Sequence, residues 1–129
     1  MLSLPPSVRI FTCLVPADLR KSFDGLAQLV REHLGGDPLS GHLFVFCNKR
    51  SDRLKLLYWD TDGYCLWYKR LEQGRFVWPR QSATAGTHGI EMRAADLAMI
   101  LDGVDLSSVK RRKRYRRPGA VPSGAGDNN

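Results

Sequence analysis

Asp60 and Asp62 are the most closely spaced carboxylates in the chain, and clustered acids are what a two-metal phosphoryl-transfer centre requires. A small nuclease would use them to hold divalent cations. The segment Asp60-Thr61-Asp62-Gly63 also has the composition of a tight hairpin turn, in which Asp serves the backbone and Gly63 would supply a positive φ. The turn is the preferred reading. Ser22 with Asp24, and Ser40 with His42, are the other conceivable dyads, yet each is equally a helix-surface or strand-start residue. Gly35-Gly36 matches neither a phosphate loop nor a dinucleotide fingerprint. Cys13, Cys47 and Cys65 lie in separate apolar runs without a Cys-x-x-Cys pair, which predicts buried free thiols in a reducing, cytoplasmic setting. His33, His42 and His88 each lack a second ligand at the roughly two-to-five-residue spacing of zinc modules. The expectation is a non-enzymatic protein without metal or cofactor.

Cations offer a second chemistry. The formal net charge is +7, but it is unevenly placed. Residues 1–109 carry 13 basic and 12 acidic side chains, a net of +1, whereas residues 110–129 carry seven basic residues against Asp127, a net of +6. The excess sits in Lys110-Arg111-Arg112-Lys113-Arg114-Tyr115-Arg116-Arg117. A run of this kind followed by Pro118, Gly119 and similar small residues has little to bury and is expected to be a disordered basic tail. If each cation neutralised a phosphate, the tail alone would give a log-log salt slope of up to about −6 on duplex DNA. A second set lies upstream, where Tyr58, Trp59, Tyr64, Trp67 and Tyr68 alternate near Lys49, Arg50, Arg53, Lys55, Lys69 and Arg70. Exposed aromatics stack bases and flanking cations hold a backbone. The competing reading is a core face and a solvated face of one sheet. No helix-turn-helix pair, zinc finger or RNA-recognition signature is present.

These side chains need a scaffold. One chain of 129 residues has the length of a single domain. Its 43% hydrophobic and 26% charged content excludes a largely disordered chain, a collagen-like repeat and a coiled coil. The stretch 7–14 reads as a first strand ended by Val15-Pro16. From Asp18, the residues Leu19, Phe23, Leu26, Ala27, Val30 and Leu34 recur at helical spacing, with Gly35-Gly36 as the stop. Strands are expected at 42–47, 54–59 and 64–70, with a short edge strand at 75–78, and short loops make them an antiparallel β-meander. Residues 80–89 read as a loop, and Leu97, Ile100, Leu101 and Val104 give a second, shorter helical stripe. The expected fold is α+β: a single domain over residues 1–109, with an antiparallel meander, one main helix packed on it, a shorter C-terminal helix, and the basic tail 110–129. No apolar run is long enough to span a bilayer, so no membrane role is expected.

The wording of several segments resembles a known family. Arg9-Ile10-Phe11, Asp18-Leu19-Arg20-Lys21-Ser22-Phe23-Asp24-Gly25-Leu26, Asp37-Pro38-Leu39-Ser40-Gly41-His42-Leu43-Phe44-Val45-Phe46, Leu54 through Gly63, Lys69-Arg70-Leu71-Glu72, Phe76 and Trp78-Pro79 are similar to the TnpB accessory proteins. These are encoded by the second reading frame of insertion sequence 66 elements. The resemblance covers residues 4–80 and leaves out the basic tail. It implies a bacterial protein that assists a separate DDE-type transposase, with no established catalytic activity. Expected partners are that transposase and the DNA of the element ends. Candidate nucleic-acid contacts are Lys110, Arg111, Arg112, Lys113, Arg114, Arg116 and Arg117 of the tail, together with Arg20, Lys21, Lys55, Lys69 and Arg70. Trp59, Trp67 and Trp78 are candidate partner-docking residues. The alternative is a protein-interaction module that does not touch DNA. In that case Arg20, Lys21 and the hairpin cations would pair with Asp18, Asp24 and Asp60 as surface ion pairs of little energetic weight.

Overall fold

A central apolar strand organises the molecule. The computed structural model describes residues 5–79 and 88–103. The run Leu43-Phe44-Val45-Phe46-Cys47 forms strand β2 and is buried along its whole length, as a strand covered on both faces must be. It sits in the middle of a five-stranded sheet with β1 (Ile10–Cys13), β3 (Arg53–Asp60), β4 (Gly63–Arg70) and β5 (Gly89–Met92), in the order β4-β3-β2-β1-β5. The meander expected for 42–70 is present, because β2, β3 and β4 are antiparallel neighbours joined by short turns. The sheet as a whole is mixed. β1 runs parallel to β2, since the chain between them forms a helix and a strand-helix-strand connection returns in the same direction. β5 pairs antiparallel with β1 on the far side; it begins at Gly89, the last residue of the expected loop, and its other three residues carry no expected element.

Helices occupy both faces. Helix α1 (Phe23–Leu29) continues into a π-helical turn, Val30–Leu34, and ends at Gly35 with φ +61°, the left-handed cap that glycine allows. It starts five residues later than the stripe from Asp18 suggests. The intervening segment is a turn, with Asp18 Oδ1 accepting the Arg20 N–H at 3.0 Å and Lys21 N–H donating to Asp18 O at 3.1 Å. Leu26, Ala27 and Val30 pack with Phe44, Phe46 and Leu57 on one side of the sheet. On the other side, α2 (Ala94–Asp102) places Leu97, Ile100 and Leu101 in a cluster with Ile10, Val45, Leu54 and Leu56. Phe76 and Trp78 complete this second layer. Residues 75–78 are therefore not an edge strand but an extended strap, held where Phe76 N–H donates to Ser51 O at 2.6 Å and Trp78 Nε1 donates to Cys13 O at 3.1 Å. The loop expectation for 80–87 and the whole tail 110–129 lie outside the described residues.

Candidate nucleic-acid interface

Two turns meet at one corner of the sheet. Ala17 N–H donates to Cys47 O at 2.9 Å, which fixes the turn before α1 beside the end of β2. The chain then leaves β2 through Asn48-Lys49-Arg50-Ser51-Asp52, a turn built around one side chain. Asn48 Oδ1 accepts the N–H groups of Asp52 and Arg53 at 3.1 and 3.0 Å, and its Nδ2 donates to Asp52 Oδ1 at 2.7 Å. Such local side-chain capping suits Asn in turns. Between the two turns lies an open groove of about 410 Å³ whose rim includes Arg20, Lys49, Arg50 and Arg53, with Asp18 and Asp52 at its sides.

The hairpin register extends this corner. Arg53 stands directly opposite Arg70, and Lys55 opposite Tyr68. Like charges facing each other across a ladder are unfavourable, and here they share the helix-side face. Arg53 Nη1 donates to the Tyr68 hydroxyl at 3.0 Å, while the Lys55 ammonium lies 4.8 Å from the Tyr68 ring centroid. Lys55 is only 7% exposed, with its Nζ donating to Lys21 O at 2.9 Å. It joins β3 to the start of α1 instead of offering a surface cation, which corrects its expected role as a direct contact.

Carboxylates neutralise part of the corner. Arg20 forms a two-pronged pair with Asp18 at 3.0 and 2.9 Å. That guanidinium, together with its own backbone N–H, holds the Asp18 carboxyl down at about 2. Arg70 pairs with Glu72 at 2.7 Å, and the Asn48 amide, aided by Arg50, lowers Asp52. Of the surface ion pairs expected in the alternative reading, Arg20–Asp18 is present, whereas Arg70 pairs with Glu72 instead of Asp24 or Asp60. Arg20, Lys21, Lys49, Arg50, Arg53 and Arg70 thus face Asp18, Asp52 and Glu72 at this corner, leaving a positive balance on a domain that is otherwise nearly neutral.

Other candidates lie elsewhere. Lys69 follows on the opposite face of β4 from Arg70, because side chains alternate. Trp59 is at the far end of the hairpin, six residues beyond Arg53 and so roughly 20 Å away at about 3.3 Å per residue, in an edge-to-face pair with Tyr64 at 5.1 Å. Trp67 is half-buried against the α2-side cluster. Trp78 is 7% exposed and hydrogen-bonded, so it is a core residue and not a docking residue. The three tryptophans form no common patch. Asp60 and Asp62 lie at the hairpin turn, where Asp62 N–H donates to Asp60 O and Thr61, not Gly63, takes the positive φ, at +54°. Among the described residues, no group of three or more His, Cys, Asp or Glu side chains gathers as a metal site. Sequence reasoning missed the role of Asn48 and the Glu72 partner of Arg70. An Asn four residues before an Asp, between two strands, is the signal that pointed to the first.

Comparison with known proteins decides the family. A family model described as IS66 Orf2 like protein matches residues 8–111. The chain belongs to that family. The matched stretch takes in β5 and α2 and reaches Lys110 and Arg111, the first two residues of the basic run. Membership in the IS66 Orf2-like family implies an accessory protein of transposition. Among its relatives, the uncharacterized protein y4jC of Sinorhizobium fredii is 36% identical over 121 residues, covering 94% of this chain and 99% of its own. A second from the same organism, the uncharacterized protein y4hO, is 41% identical over 105 residues, covering 81% and 88%. No solved structure matches. Among the described residues, no helix is long and apolar enough to cross a membrane.

Proposed function

We propose that this protein is a non-catalytic accessory factor that binds nucleic acid alongside the transposase of its element. The observation that carries this reading is the corner where Arg20, Lys49, Arg50 and Arg53 rim one groove and Arg70 stands across from Arg53. A phosphate backbone laid across it would relieve the Arg53–Arg70 repulsion and release counterions. The tail cations Lys110 to Arg117 would add sequence-independent affinity. The basic balance of the groove also fits an acidic surface of the transposase, the second reading.

The test is binding to element-end duplex DNA across a salt series, comparing the full chain, a chain ending at Val109, and the full chain carrying Arg50→Ala and Arg53→Ala. Loss of the tail should flatten the log-log slope by up to about 6, and the double substitution by about 2. Equal affinity and slope for all three would sink the proposal. Co-purification with the transposase after nuclease treatment distinguishes the second reading, because a complex that survives is protein-mediated. Metal-dependent cleavage abolished by Asp60→Asn would overturn the non-catalytic assignment; none is expected.

A further inference from the structure

Tyr68 is held in an arrangement that structural packing does not require. It is 47% exposed and lies on β4, the edge of the sheet, so among the described residues no further strand stands beside its ring. Half-exposed edge tyrosines ordinarily have mobile rings. This one is fixed at two points: its hydroxyl by Arg53 at 3.0 Å, and one ring face by the Lys55 ammonium at 4.8 Å. Lys55 is itself immobilised by burial and by its bond to Lys21 O at 2.9 Å. The ring is therefore a pre-oriented plate with a buried cation on one side.

We infer that Tyr68 is a stacking platform for an unpaired base, which makes single-stranded nucleic acid the preferred ligand of the cationic corner. This rests on the nucleic-acid reading given above and narrows its substrate class. A flat aromatic ring flanked by guanidinium groups is the arrangement with which single strands are held: the bases stack and the cations track the backbone. In a duplex every base face is already stacked on its neighbours, so a duplex gains only the phosphate contacts. With a base on Tyr68, the neighbouring phosphates fall to Arg53 and Arg70, and the strand continues over the groove rimmed by Arg20, Lys49 and Arg50. Prior fixation of the ring by Arg53 and Lys55 lowers the ordering cost of binding.

The experiment uses the full chain and measures anisotropy of a labelled single strand of about 12 nucleotides, and of its duplex, at about 0.1 M salt. Tyr68→Ala should weaken single-strand binding by roughly 5- to 100-fold while changing duplex binding by less than about twofold. Tyr68→Phe and Tyr68→Trp keep a π face and should stay within about threefold of the parent on both ligands. Tyr68→Leu retains a strand-compatible apolar side chain without a π face. It should behave as Tyr68→Ala does, which provides the same reading if the alanine variant folds poorly. Equal losses on single strand and duplex, or no loss with Tyr68→Leu, overturn the platform while leaving nucleic-acid binding intact. A parent chain that binds neither ligand overturns both the platform and the reading beneath it.

Discussion

Replacing Asn48 with alanine leaves the backbone N–H groups of Asp52 and Arg53 without the acceptor they share and removes the amide donor to the Asp52 carboxylate. Three lost local hydrogen bonds in a partly buried turn cost about 1–3 kcal/mol, so Asn48→Ala should lower the melting temperature measurably. Asn48→Asp, which retains the acceptor, should recover part of it. At the neighbouring turn, Asp18 titrates at about 2, below its ordinary 3.8, chiefly through the Arg20 side chain. Because the folded value is the lower one, the pair's contribution is complete above about pH 4 and is lost as pH falls through about 2. Arg20→Gln should raise the Asp18 midpoint in a carboxyl NMR titration, stopping short of 3.8 because the residue 20 N–H still donates; an unmoved midpoint would contradict the pairing. The cations of this corner were all legible as residue types. The Arg53–Arg70 register follows from the expected turn at 60–63, since turn length fixes hairpin pairing; the grouping with Arg20 does not, because it depends on the Ala17–Cys47 hydrogen bond, which residue spacing does not encode.

Hairpin β3–β4 turns through Thr61 at φ +54°, a region that β-branched residues avoid. Thr61→Gly relieves that strain at some expense in unfolded-state entropy, and a net gain of about 0.5–1 kcal/mol is expected in denaturant melts. On the opposite face, the strap that follows β4 is anchored by Trp78. Trp78→Ala opens a cavity and removes the indole donor to the Cys13 carbonyl, a loss of about 3–5 kcal/mol. Trp78→Phe should cost less, since it sacrifices the hydrogen bond but keeps most of the volume. The sequence made β2, β3, β4 and both helices recognisable through apolar periodicity and short turns. The antiparallel meander followed from its short turns, whereas the first strand carried no expected orientation; its parallel pairing reflects the helix that separates it from β2. β5 escaped because only Met92 of its four residues is buried, leaving no alternating pattern to read.

For the molecule as a whole, the buried clusters draw on residues from Ile10 to Leu101. A chain ending at Val109 keeps all of them and should melt within about 2 °C of the full chain, whereas one ending at Pro79 loses Met92, Leu97, Ile100 and Leu101 and should not fold cooperatively. Circular dichroism melts of the two truncations check both outcomes. The first truncation removes a net +6 and leaves residues 1–109 at a net of +1. Sheet order adds a consequence in time. β1 is synthesised well before its partner β5, with Arg9 and Glu91 joined across 82 residues. Until β5 leaves the ribosome, β1 has an open hydrogen-bonding edge and the α2-side core has no lid. Closure is thus a late event of high contact order, and a translation product interrupted before β5 should be left to proteases.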